Sequence, residues 1–132
     1  MGNDCRRVPV EDLHHLLICG CEDPWGSEAW RAPTTSPDEL VLVLIHTADN
    51  IYRLSAEGVT AVFAGHYHAG QIRVPLLGPL VMPSVYGRRF DHGHFMVNGT
   101  RLFVTAGIGT TTLPLRIHCQ PDVFIVDFHG EA

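Results

Sequence analysis

Residues 40–46 read LVLVLIH and residues 59–68 read VTAVFAGHYH. Each is an apolar run that stops at a histidine, and an apolar run without alternation suits a strand covered on both faces. Between them, Asp49-Asn50 offer a helix cap, Ile51 and Leu54 lie one helical turn apart, and Gly58 supplies a stop, which predicts a short helix. Strand, helix, strand is the βαβ pattern, whose connection is expected to be right-handed. The fold class is therefore α/β, with His46, His66 and His68 delivered at one edge of the sheet. In open α/β sheets, ligands bind beyond the carboxyl ends of the strands, and that is where these imidazoles fall.

Outward from this unit the pattern is simpler. Upstream, Leu16–Gly20 is a short apolar run stopping at Glu22-Asp23-Pro24, a buried strand entering a loop. Residues 25–38 are rich in Gly, Ser, Thr and Pro and read as a surface connection. Downstream of Gln71, short strands are predicted at 72–74, 80–82, 94–97, 102–105 and 123–128, with Asn98-Gly99 as a two-residue hairpin turn. This second half is antiparallel or mixed sheet. No internal repeat or domain boundary interrupts the chain, so residues 1–132 form a single domain.

Composition narrows the function classes. Hydrophobic residues make up 45% and charged residues 17% of 132 positions, a folded composition with enough chain to build a core. Fourteen acidic against nine basic residues give a charge of −5 without a basic stripe, which argues against binding a nucleic acid backbone. Nine histidines are many for this length, and histidine is the common metal ligand. Cys5, Cys19, Cys21 and Cys119 form no CxxC pair and are read as unpaired thiols, Cys19-Gly20-Cys21 being spaced too closely for a usual zinc pair. No run reaches the roughly 18 apolar residues of a membrane span and no signal-peptide layout is present, so the compartment is open. Membrane association would come only through an upstream segment.

His66 and His68, two apart after a strand, can face two adjacent metal positions. A lone histidine at a strand end is more often a hydrogen-bonded structural residue, which is the reading set against ligation for His46 alone.

The segment Gly65-His66-Tyr67-His68-Ala69-Gly70-Gln71-Ile72-Arg73-Val74-Pro75 resembles the GHTHGGQIRLP motif of calcineurin-like metallophosphoesterases, particularly a subgroup that includes exported or membrane-associated bacterial enzymes. Leu44-Ile45-His46-Thr47-Ala48-Asp49 resembles that subgroup's strand ending in S-H-x-P-D. Tyr86-Gly87-Arg88-Arg89, Val104–Gly109 and Pro114-Leu115-Arg116 resemble its later blocks, in colinear order. Ala48, Tyr67 and Ala69 depart from the family's proline, threonine and glycine.

The resemblance implies a four-layer α/β/β/α sandwich, of which this chain is the C-terminal portion: mainly the second mixed sheet with one short helix. It implies hydrolysis of a phosphomonoester, phosphodiester or pyrophosphate bond at a dinuclear site, with metal ions about 3.5 Å apart. His46 and His66 become ligands of one metal and His68 of the other, the ions being Mn, Fe or Zn. Arg88 becomes a contact for substrate phosphate; Arg73, Arg89 and Arg116 are read as solvated charge. His92 and His94 match no ligand position and are read as loop residues near the site mouth.

The family's D-x-H, G-D-x-x-D and G-N-H-[DE] motifs, which carry the bridging aspartate and the candidate general acid, should all precede this region, and all three are read as absent. Gly2-Asn3-Asp4 lacks the histidine of the third motif and is read as the segment following it. The chain is therefore expected to be incomplete or truncated, to hold one metal ion or none, and to self-associate or pair with a missing N-terminal half. The alternatives are a non-catalytic metal-binding or interaction module and a truncated reading frame without independent function.

Overall fold

The computed structural model describes residues 3–10, 13–22, 31–36 and 38–129. Strands β1 (Cys5–Val10), β2 (Leu13–Cys21), β3 (Glu39–Ile45), β4 (Ala61–Ala64), β7 (Gly93–Val97) and β8 (Thr100–Val104) form a mixed six-stranded sheet in the order β1-β2-β3-β4-β8-β7, and β5 (Arg73–Val74) pairs with β6 (Gly78–Pro79) as a small hairpin. The chain is α/β, with one short helix, α1 (Ile51–Ala56), entered through a 3₁₀ turn at Ala48–Asn50. The two runs quoted first became β3 and β4, which are parallel and in register from Leu42↔Ala61 to Leu44↔Phe63.

Strands β2, β3, β4 and β8 are mutually parallel, so their carboxyl ends share one edge. Alternation divides side chains between the faces. Leu17, Val41, Val43, Val62 and Leu102 are buried beneath Ile51 and Leu54 of α1, and burying each such side chain contributes about 1.5–3 kcal/mol. Tyr52, Tyr86, Phe90 and Phe95 extend this core through edge-on ring contacts. On the other face, Leu40, Leu42, Leu44 and Phe63 are half-buried, not sealed.

Several expectations are corrected. Residues 123–128 form no strand: Phe124 packs on Phe103 at 5.5 Å, so the segment lies over the sheet face and joins no edge ladder. The second hairpin strand forms at Gly78-Pro79 and not at 80–82, because Gly78 adopts φ +81 and turns the chain early. Strand β1 escaped the sequence reading: it is an exposed edge strand with Pro9 at the register shift between Val8 and Val10, where a residue without an N–H is tolerated. Its register sets Cys5 opposite Cys19, and the two form a disulfide, so the reading of these two as unpaired thiols is corrected; Cys21 and Cys119 are buried and outside any disulfide. The connection at 25–38 falls largely outside the described residues. Asn98-Gly99 is the expected hairpin turn, both residues having positive φ.

Gly70 has φ +76, and a Cβ there would lie 2.2 Å from Pro79 Cβ; Gly107 has φ +64 with open space around it. Gly70→Ala should therefore cost more than about 2 kcal/mol in urea unfolding, against about 1 kcal/mol for Gly107→Ala, and equal losses would refute the steric account. Asp122 gives a second expectation. Burial raises its carboxyl, but hydrogen bonds from Thr105, His92 and Ala106 outweigh burial and hold it below its ordinary value. Stability from a depressed carboxyl is present above the unfolded value near 3.9 and lost as pH falls through the folded value. Asp122→Asn should cost on the order of 1 kcal/mol at pH 7 and flatten the loss of stability below about pH 4, as read from urea midpoints across pH.

Candidate functional site

His46 follows β3 directly and His66 follows β4 by one residue, so the parallel register carries both to the same edge. Gly65 N donates to His46 O at 3.1 Å, and the imidazole centroids lie 4.3 Å apart. His68 lines the same cleft, a cavity of about 700 Å³ whose other wall is Ile72, Leu80, Val81, Pro83 and Leu113. The histidine turn is strained: His66, His68, Ala69 and Gln71 all have positive φ, a backbone that non-glycine residues adopt at a cost and mostly at functional sites.

Three side chains hold this turn, two of which, Tyr67 and Gln71, sequence reasoning left without a role. Tyr67 is buried; its hydroxyl donates to Asp49 Oδ1 at 3.0 Å and accepts from Ala48 N at 2.9 Å. Burial first, and the neighbouring Asp49 charge with it, push the phenol up to about 12, so it stays protonated. Asp49, expected as a helix cap, makes no cap bond and faces Tyr67 and Ser84. Gln71 donates to Thr111 O and Leu113 O and accepts from Thr111 N, which fastens one cleft wall to the turn. The only sequence signal for either residue was its place inside the histidine motif.

Arg116 is not solvated charge. Its guanidinium donates to the carbonyls of Ala106, Gly107 and Gly109, approaches His68 Nδ1 at 3.5 Å, and so joins the histidine turn to the loop after β8. Arg73 donates to Ala69 O and pairs with Asp91, and Arg89 lies over the rings of Tyr52 and Phe90. Arg88 is exposed in a neighbouring cleft of about 440 Å³ and donates to Leu77 O. His92 pairs with Asp122, while His94 sits in β7 stacked on Phe103 and is not a loop residue. Asn3 Oδ1 accepts from Glu22 N. One D-x-H triplet does occur, Asp12-Leu13-His14, but Leu13 opens β2 at the edge remote from His46, and Asp12 lies outside the described residues.

Toward a divalent cation the three histidines offer nitrogen donors only. Two imidazoles meet and a third borders the same cleft, and imidazole suits zinc, iron and related ions. Among the described residues no group of three or more His, Cys, Asp or Glu is assembled for a metal. Thr47 Oγ1, beside His46, is buried with no protein partner among the described residues. No described helix is long and apolar enough to cross a membrane.

The chain is 32% identical over 84 residues to the metallophosphoesterase YkuE of Bacillus subtilis, a match covering 64% of this chain and 29% of that protein. It is 29% identical over 110 residues to the phosphodiesterase YaeI of Escherichia coli, covering 83% and 40% respectively. A metallophosphoesterase of Aquifex aeolicus is 26% identical over 136 residues, covering 96% of this chain and 51% of its own length. The chain thus spans about half or less of these relatives. No family model and no solved structure matches.

Gln71→Ala removes the partners of three backbone groups in residues 111–113. Hydrogen exchange there should accelerate, with a stability loss of about 2 kcal/mol; unchanged exchange would show that the wall is held otherwise.

Proposed function

We infer, for a chain that belongs to the calcineurin-like metallophosphoesterase family, that it contributes the histidine side of a divalent-metal site hydrolysing a phosphate ester. The observation that carries this is the meeting of His46 and His66 at 4.3 Å, with His68 on the same cleft. His46 and His66 would hold one ion and His68 a second. The bound ions would activate water and stabilise charge on the transferring phosphoryl group. The residues of this chain act by holding neutral donors at one sheet edge. Arg88 keeps most of its donors toward solvent and is the proposed phosphate contact, since Arg73, Arg89 and Arg116 are engaged elsewhere. Phosphomonoesters, phosphodiesters and pyrophosphates all fit this chemistry.

The half-buried face formed by Leu40, Leu42, Leu44 and Phe63 supports a four-layer arrangement in which a second sheet covers this one. The chain is then the C-terminal portion of a phosphoesterase domain, and carboxylate ligands come from another segment or from a partner chain. A second reading, a non-catalytic module binding one ion, is favoured by the lack of an assembled three-residue cluster among the described residues.

The test loads this chain with Mn²⁺ or Zn²⁺, measures bound metal, and assays a bis-aryl phosphodiester and an aryl phosphomonoester beside a His66→Ala, His68→Ala variant. Metal and hydrolysis lost together in the variant support the phosphoesterase. Metal bound without hydrolysis selects the second reading, and no metal uptake by the unsubstituted chain refutes both.

A further inference from the structure

We propose that Tyr67 is a positioning residue: with Asp49 and Ser84 it forms a hydrogen-bonded clamp that sets His46 against His66 and fixes the neighbouring cleft wall. This rests on reading the histidines as cation ligands.

Tyr67 lies between two of those histidines and is 3% exposed. Its phenol works in both directions, donating to Asp49 Oδ1 at 3.0 Å and accepting from Ala48 N at 2.9 Å. Residues 48 and 49 begin the turn that follows His46, so one side chain bolts the β3 end to the β4 end. Asp49 Oδ1 also accepts from Ser84 Oγ at 2.6 Å, and Ser84 Oγ accepts from Tyr86 N at 3.1 Å. Ser84 follows Pro83, which lines the cleft, so the third segment is tied to the same carboxylate. A main-chain bond from Gly65 N to His46 O also ties the two strand ends beyond the ladder. A threonine hydroxyl sits on the first side-chain carbon and is too short to reach residues 48 and 49 as the phenol does. The clamp is therefore particular to a chain with tyrosine here. Partners that orient metal-binding histidines without touching the ion commonly change metal affinity 10–100-fold when removed.

The experiment titrates the unsubstituted chain with Co²⁺, following visible absorption and affinity, beside Tyr67→Phe, Asp49→Ala, Asp49→Asn and Ser84→Ala. Val97→Ala, at the opposite edge of the sheet, controls for lost stability, and urea unfolding confirms that each protein is folded. Tyr67→Phe and Asp49→Ala should weaken Co²⁺ about 10-fold or more and alter its spectrum, while Asp49→Asn, which keeps the acceptor, and Val97→Ala stay near the parent. Co²⁺ affinity and spectrum unchanged in Tyr67→Phe would overturn the clamp while leaving the histidine site standing. If Tyr67→Phe does not fold, Ser84→Ala decides, since it leaves the ring packed: a parental spectrum overturns the proposal. No Co²⁺ binding by the parent defeats the histidine-ligand reading and this inference with it.

Discussion

Four non-glycine residues between His66 and Gln71 hold left-handed backbone angles, and the arrangement of the site depends on keeping them there. Each such residue costs on the order of 1–2 kcal/mol against ordinary helical or extended backbone. The offsetting contacts come from outside the turn. Gly70 fits against Pro79 with no room for a Cβ, Gln71 spends its whole amide on residues 111–113, and Arg116 reaches His68 from the loop after β8. The strain has a geometric purpose: on a regular strand His66 and His68 would project to the same face but spaced along the chain, whereas the tight turn brings both to one cleft.

That turn could not be placed without the parallel sheet behind it. Four parallel strands end at the same edge, so residues far apart in sequence, 46, 66 and 106 among them, become neighbours with no special contact required. The sheet is anchored on one face by α1 and the aromatic group around Phe90, which makes it a firm platform from that side. The opposite face carries half-buried leucines and the Phe63–Phe103 stack, partly covered by Phe124. Firmness at the histidine edge is thus drawn from the α1 side, and the second face is where further apolar cover would add stability.

The strands that build this edge were legible because their signals are local. LVLVLI is an unbroken apolar run and VTAVFA is broken only by Thr60, and Asn98-Gly99 needs only its own φ values. What escaped was non-local. Strand β1 has Arg6, Arg7 and Pro9 and becomes a strand only because β2 offers an open edge; the Cys5–Cys19 pair follows from that register and from nothing in the spacing. Residues 123–128 look like a strand but pair with none, Phe124 packing on Phe103 over the sheet face instead. In the site, the histidines could be named from the motif, while the parts of Tyr67, Gln71 and Arg116 depend on partners 7 to 48 residues away. Asp49 shows the limit most clearly, since it has the residue type and position of a cap and instead serves the clamp.

Charge at this edge bears on which ions it would favour. Imidazoles bring no negative charge, and the carboxylates on segments flanking the cleft are already engaged: Asp49 by Tyr67 and Ser84, Asp91 by Arg73, and Asp122 by Thr105, Ala106 and His92. Diverting any of them to a metal would leave buried or half-buried donors unpaired, at about 1–3 kcal/mol each. Read as a cation site, the histidine edge of this chain would therefore offer neutral donors. Nitrogen donors alone suit borderline ions such as zinc or cobalt better than magnesium or manganese, which ask for oxygen. Two ions held close would also lack the bridging anion that screens their repulsion. On the proposed reading of the histidines, a first ion at His46 and His66 would come before a second at His68, which would depend on carboxylate supplied from beyond the three histidines.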